Sequence, residues 1–294
     1  MATVPIQTTP KRAVTLKNIL FATDFSEVSM KAFPYAAALA KKFEASVFPF
    51  HAIVPTSLVA AAPQAAPYLY EAEREASEKE LENVVHSPLL KGVTAKSVLS
   101  SGLIGDCLTE EIKNNDIDLI VAGTHGRTGW RRLLLGSAAE EICRTATCPV
   151  LTVGPALPPE PISFNRILVP TDLSDDSMRS LPMVVKLATA FGSSVAILHV
   201  LPEEMASNPD ARQLSEPIRR TIVGIFGPQL KPIKTEFAIE TGDVAETILK
   251  VARETGADLI AMGIRHAFLT GFNLRTSVAY RVMTLSQCPV LTCR

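Results

Sequence analysis

Gly123–Ser137 reads GTHGRTGWRRLLLGS, with the pattern G-x-x-G, nine residues, then G-S. A short apolar run, Ile117–Ala122, precedes it, and the plausible helix start Ser137–Arg144 follows. Strand, glycine loop and helix N-terminus together make a phosphate-binding arrangement. Glycines let the backbone approach an anion closely. The unpaired N–H groups and dipole of a helix start then face that anion. On this reading Gly123, Gly126 and Gly136 bring the backbone close, and Ser137 adds a hydroxyl where the helix begins. Arg127, Arg131 and Arg132 lie inside the loop and can either pair with phosphate oxygens or face solvent. Trp130, the sole tryptophan, folds over a ligand or sits outside. Taken alone, a loop with these glycines is more often a plain turn.

Thr23-Asp24 closes a second apolar run, Asn18–Thr23, and Ser26 follows two residues later. Ligands of open α/β sheets bind beyond the carboxyl ends of strands. Asp24 and the Gly123 loop both occupy such ends, so they can line one crevice. Asp24 can also cap the helix that follows. His51 and His199 stand alone in apolar runs and read as strand-end or core histidines, with no second metal ligand at useful spacing.

The elements that must position these residues alternate strand and helix, which implies a parallel, doubly wound α/β sheet. In the first half the strands are Asn18–Thr23, Ser46–Ala52, Val93–Leu99, Ile117–Ala122 and Pro149–Val153. Pro34 is expected to kink the helix running through Phe43, and Pro49 fits its strand awkwardly. Val54–Leu69, rich in Ala and Pro, reads as an irregular insertion ahead of a charged helix, Glu71–Val85.

The second half repeats the first. Ile167–Ser174 lies 148 residues after Ile19–Ser26, and Cys288–Thr292 lies 140 residues after Cys148–Thr152. Repeats on this scale mark a duplication. The organisation is an arm over 1–17, one domain over 18–154, a Pro-rich linker over 155–161 and a second domain over 162–294. The two loops align without a gap, and the second is degraded. Gly126 is matched by His266 and Gly136 by Thr276, while Gly123 keeps Gly263 and Ser137 keeps Ser277.

These motifs together resemble the universal stress protein family, whose nucleotide signature is G-x-x-G, nine residues, G-Ser/Thr. Thr23–Ser26 resembles its opening motif and Cys148–Leu151 its last strand. The resemblance covers nearly the whole chain. It implies two tandem Rossmann-like domains of the adenine nucleotide alpha hydrolase-like type. Each would have a five-stranded parallel sheet of order 3-2-1-4-5 with helices on both faces. It also implies an internal pseudo-dimer joined through the two last strands, with a homodimer of the whole chain left open. The implied ligand is ATP, with or without Mg2+. The implied contacts are Thr23, Asp24, the main chain at Ala52, Gly123, Gly126, Arg127, Gly136, Ser137 and Ala138. The implied role is a nucleotide-dependent regulator or sensor in stress response. A nucleotide-free interaction scaffold and a weak ATPase are the alternatives.

Composition bounds the rest. The 294 residues carry 47% hydrophobic residues and a net charge of −1, which excludes a strongly basic nucleic-acid binder. No 18-residue apolar run occurs, so no membrane span is expected. Five cysteines, at 107, 143, 148, 288 and 293, form no CxxC and read as reduced thiols of a cytoplasmic protein.

Overall fold

A computed structural model of the chain describes residues 14–54, 65–124, 135–155, 161–203, 211–264 and 277–294. Strands β1 (Asn18–Ala22), β2 (Ser46–Ile53), β3 (Val98–Ser101), β4 (Leu119–Gly123) and β5 (Val150–Val153) belong to the first half. Strands β6 (Arg166–Pro170), β7 (Ser194–Leu201), β8 (Thr235–Thr241), β9 (Leu259–Gly263) and β10 (Val290–Cys293) belong to the second. All ten form one sheet, in the order β3-β2-β1-β4-β5-β10-β9-β6-β7-β8. Each half therefore has the expected 3-2-1-4-5 order. Every neighbouring pair is parallel except β5 with β10, which run antiparallel at the centre.

The β5–β10 junction is self-complementary. Leu151 faces Leu291, Val150 faces Thr292 and Thr152 faces Val290. Those partners are related by the 140-residue offset, so a pseudo-twofold axis passes between the two leucines. Pairing removes the edge that each last strand would otherwise expose. The buried Thr152 and Thr292 hydroxyls reinforce it by donating to the carbonyls of Val290 and Val150.

Among the described residues the α-helices are α1 (Glu27–Met30), α2 (Phe33–Phe43), α3 (Ala66–Val85), α4 (Ile104–Asn114) and α5 (Ser137–Thr145) in the first half. In the second they are α6 (Leu181–Phe191), α7 (Ala211–Phe226), α8 (Val244–Thr255) and α9 (Val278–Leu285). Because side chains alternate along a strand, Ile19 and Phe21 pack with α2 on one face. Leu20 and Ala22 pack with α4 and α5 on the other. Both faces are apolar, as a sheet covered on both sides requires. Each core continues across the junction, with Leu39 and Leu187 in one and Ile142 and Met283 in the other.

Three expectations change. Pro34 does not kink a long helix: α1 ends at Met30, and Pro34 sits in the first turn of a new helix, α2. Likewise α3 begins at Ala66 with Pro67 in its first turn, so the end of the supposed insertion is helical. Proline suits a first turn because that N–H has no helical partner anyway. The supposed strand Val93–Leu99 holds only a bridge at Ala95 before β3 starts at Val98. The break at Lys96–Ser97 lies opposite Pro49, which has no N–H to continue the ladder. At the N-terminus, Leu16 is buried, and Lys17 and Asn18 donate main-chain N–H groups to the Asp118 carboxylate. Asp258 holds Asn165 and Arg166 in the same way.

Candidate functional site

At the end of β1 the chain makes a tight turn. Thr23 Oγ1 accepts from Phe25 N at 2.9 Å and meets Ser29 Oγ at 3.0 Å. Asp24 Oδ1 accepts from Ser26 N at 3.0 Å. Ser26, not Asp24, caps α1, accepting from Ser29 N at 3.1 Å. Phe25 is forced to φ 61°, and its counterpart Leu173 to φ 65°. Left-handed geometry costs a non-glycine residue about 1–2 kcal/mol. Its presence in both halves assigns it to the turn itself rather than to a ligand. His51 Nδ1 donates to Thr23 O at 2.8 Å, and His199 repeats this with Thr171 O. The two histidines tie the second strand of each half to the turn, in keeping with a strand-end role.

Ala52 is placed by ladder geometry. Thr23 N donates to Phe50 O, the last bond between β1 and β2. Alternation turns the N–H and C=O of Ala52 to the same side as those of Phe50. There β1 has already turned away, so these two groups face a gap.

At the end of β4, Gly123 lies under α1. A Cβ on Gly123 would sit 2.9 Å from Ser29 Cα and 3.3 Å from Val28 O. Gly263 is tighter, with a Cβ 1.9 Å from Asp176 O. This glycine is needed for close packing in both halves, a role that no sequence signal marks. The strand end is then fixed by Thr124 N donating to Val153 O and by Gly136 N donating to Thr124 O at 2.7 Å.

Gly136 is the N-cap of α5, with φ −60° and ψ 147°, and among the described residues no side chain caps this helix. The N–H groups of Ser137, Ala138 and Ala139 belong to the first turn, where no helical carbonyl reaches them. The turns and the helix start together enclose a cavity of about 210 Å3, lined by Thr23, Asp24, Ala52, Gly123, Gly136, Ser137 and Ala138. Seven of the nine expected site residues are thereby brought together. Gly126 and Arg127 lie outside the described residues, as do Trp130, Arg131 and Arg132. Ser29, His51 and Ile104 also line the cavity. Ser29 had a sequence signal, because the six-residue spacing from Thr23 recurs between Thr171 and Ser177.

The matching crevice of the second half is built differently. It is larger, about 450 Å3. Ala52, Thr124 and Ala138 are matched by Val200, Ile264 and Val278, all on its wall. Ser277 caps α9, accepting from Tyr280 N at 3.1 Å. The counterpart of Tyr280 N in the first half, Glu140 N, donates instead to the main-chain carbonyl of Gly136 at 2.8 Å, so the two helix starts differ in having a side-chain or a main-chain cap. His266 and Thr276 are outside the described residues. Tyr280 also crosses the junction, its hydroxyl accepting from Leu135 N at 3.2 Å. The second half thus holds the chain just ahead of Gly136. Among the described residues no group of His, Cys, Asp and Glu could hold a metal ion, and no helix is long and apolar enough to cross a membrane.

Comparison with known proteins agrees with this architecture. The sequence profile of the universal stress protein family matches residues 15–154 and again 163–294. Universal stress protein MJ0531 of Methanocaldococcus jannaschii is 33% identical over 138 residues, covering 47% of this chain and 81% of that protein. Universal stress protein YxiE of Bacillus subtilis is 31% identical over 144 residues, covering 46% of this chain and 97% of that protein. A universal stress protein structure from Archaeoglobus fulgidus superposes with a TM-score of 0.72 at 22% identity, covering 94% of this chain and 98% of that one. That last likeness concerns the fold.

Proposed function

The chain belongs to the universal stress protein family, and we propose that its first half binds ATP, or another adenine nucleotide, as a regulatory ligand. The observation that carries this reading is the contrast between the two helix starts. The α5 N-terminus has no side-chain cap and opens on a cavity that also contains Asp24. The α9 N-terminus starts one residue later at the matching position and carries a side-chain cap, Ser277 on Tyr280 N. An anion at α5 gains the helix dipole and the first-turn N–H groups. In the proposed pose the phosphates lie against Gly136, Ser137 and Ala138, together with Gly126 and Arg127. Asp24 accepts from the ribose hydroxyls, beside Thr23. The N–H and C=O of Ala52 read the edge of the base. Adenine rests on the resemblance of the loop pattern to the family signature.

The role is that of a sensor. Nucleotide shifts an equilibrium between conformations by its differential affinity for them, with the Leu135–Tyr280 bond as one link from the loop to the other half. The test is calorimetry with ATP on the full chain, together with mass spectrometry of nucleotide released on denaturation. The expected result is about one ATP per chain, weakened at least about tenfold, or ~1.4 kcal/mol, by Asp24→Ala. Neither retained nucleotide nor binding heat would leave the scaffold reading in its place.

A further inference from the structure

The pseudo-twofold axis at the β5–β10 junction relates two pockets beside that junction, and they are filled differently. One receives Arg294. This side chain leaves the end of β10 and reaches the C-terminal end of α5 in the other half. Its Nη1 donates to Ala146 O at 2.8 Å, and its Nη2 donates to Cys143 O. A single guanidinium fork thus satisfies two carbonyls that the helix leaves without partners.

At the related position the chain has Gly154, which follows β5 as Arg294 follows β10 at the 140-residue offset. The carbonyls matching those of Cys143 and Ala146 are those of Met283 and Ser286, at the end of α9. No hydrogen bond to them is found among the described residues. In place of a side chain there is a cavity of about 320 Å3, whose wall includes Gly154, Ser286, Cys288, Asp258 and Tyr35.

We propose that this cavity is a binding site for a guanidinium group supplied from outside the chain. The first reason is the precedent within the molecule, where the same arrangement of helix end and strand end already holds a guanidinium. The second is charge. The C-terminal end of a helix carries partial negative charge, and the Asp258 carboxylate on the wall is held by main-chain N–H groups of Asn165 and Arg166. Arg253, exposed on α8 at the rim, is the opposing charge. The third is geometry. In the occupied counterpart two carbonyls one helical turn apart receive the planar fork, which suits a guanidinium better than an ammonium, and of the matching pair Ser286 lines this cavity. The volume lies within the range of ligand sites, about 300–1,000 Å3. The guanidinium belongs either to a free guanidino compound or to an arginine on a partner segment.

Calorimetry on the full chain with two probes separates these sources. Agmatine stands for the free compound, and N-acetyl-arginine methylamide for arginine within a peptide. N-acetyl-citrulline methylamide, a neutral isostere, is the control. The expected result is saturable binding of at least one guanidinium probe at a single site, with the citrulline compound at least about tenfold weaker. Gly154→Arg should fill the cavity as Arg294 fills its counterpart. Its Cβ would meet Ser286 O at 3.4 Å, an ordinary contact. That variant should lose the site and melt at a higher temperature than the parent. Arg294→Gly should open a second site and raise the stoichiometry from one to two. Three results would overturn the proposal: no saturable binding of either guanidinium probe, equal binding of the citrulline analogue, or undiminished binding by folded Gly154→Arg.

Discussion

Gly123→Ala and Gly263→Ala separate a packing glycine from a phosphate-binding one. The atoms each new methyl would meet are backbone atoms, which cannot rotate aside. At Gly123 the Cβ would stand 2.9 Å from Ser29 Cα. Against a comfortable carbon–carbon contact of about 3.5 Å, the shortfall is roughly 0.6 Å. At Gly263 the Cβ would stand 1.9 Å from Asp176 O and 2.8 Å from the carbonyl carbon, so the segment ahead of α6 must move by more than about 1 Å. Overpacking of this kind costs about 1–3 kcal/mol. Gly123→Ala should fall in that range, and Gly263→Ala at or above its top. In melting temperature, 1 kcal/mol corresponds to roughly 2–4 °C in a domain of 150–250 residues. Urea unfolding of the two variants reads the stability cost, and calorimetry with ATP reads the site. Gly263→Ala should lower the urea midpoint while leaving ATP binding in the first half unchanged. An unchanged midpoint for Gly263→Ala would refute the packing argument. Undiminished stability with complete loss of ATP in Gly123→Ala would return that glycine to the phosphate.

The two serines at the helix starts should respond oppositely. Ser277→Ala removes the α9 cap and should cost about 1 kcal/mol in urea unfolding without changing ATP affinity. Ser137→Ala should be near neutral for stability and weaken ATP, and the reverse pattern would sink the asymmetry. Gly126→His, which copies His266 into the first loop, should weaken ATP at least about tenfold in calorimetry; full-strength binding would show that this glycine does not set the site. Burial pushes the thiols of Cys143, Cys148 and Cys293 up to about 12 from 9.0. The folded chain then holds protons that the unfolded chain releases, so this stability is complete below pH ~9 and is lost as pH rises toward ~12. Urea midpoints measured across that window should fall. At pH 8, Cys143 and Cys293 should react with a disulfide reagent only on unfolding; fast reaction of the native protein would contradict their burial.

Much of the fold was legible because the chain states it twice. Recurrence of Ile19–Ser26 at Ile167–Ser174 and of Cys148–Thr152 at Cys288–Thr292 fixes both ends of each half, and continuous apolar runs mark strands buried on both faces. Two of the three errors have one physical source. Pro34 and Pro67 read as disruptions in a linear pattern, whereas each occupies a first turn where proline costs nothing. The site was legible as a set of residue types but not as roles. Gly123 looks like Gly126 and Gly136 on paper. Only its distance to α1 gives it a different task. The pairing of Arg294 with the end of α5 has no sequence signal, since it joins residues about 150 apart through an axis that exists only when β5 meets β10.

The duplication also offers an internal control for separating fold from function. Features present in both halves have structural explanations in both. The left-handed residues Phe25 and Leu173, the ties from His51 and His199, the packing of Gly123 and Gly263 and the staples of Asp118 and Asp258 all recur. Features that differ cannot be demanded by the shared scaffold, because the other half folds without them. These are the uncapped start of α5 against the capped start of α9, and Gly154 against Arg294. The β5–β10 pairing constrains the strands it joins, while the two crevices and the two flanking pockets lie outside that ladder and are free to diverge. Each pair has diverged in a complementary sense. The second half caps its helix start with the Ser277 side chain, where the first has the side-chain-free Gly136. The first half opens the guanidinium pocket that Arg294 fills on the other side. A chain with two identical halves would have twofold stoichiometry at both kinds of site. This one should bind a single anion-bearing ligand and a single cation-bearing one, at locations related by no symmetry.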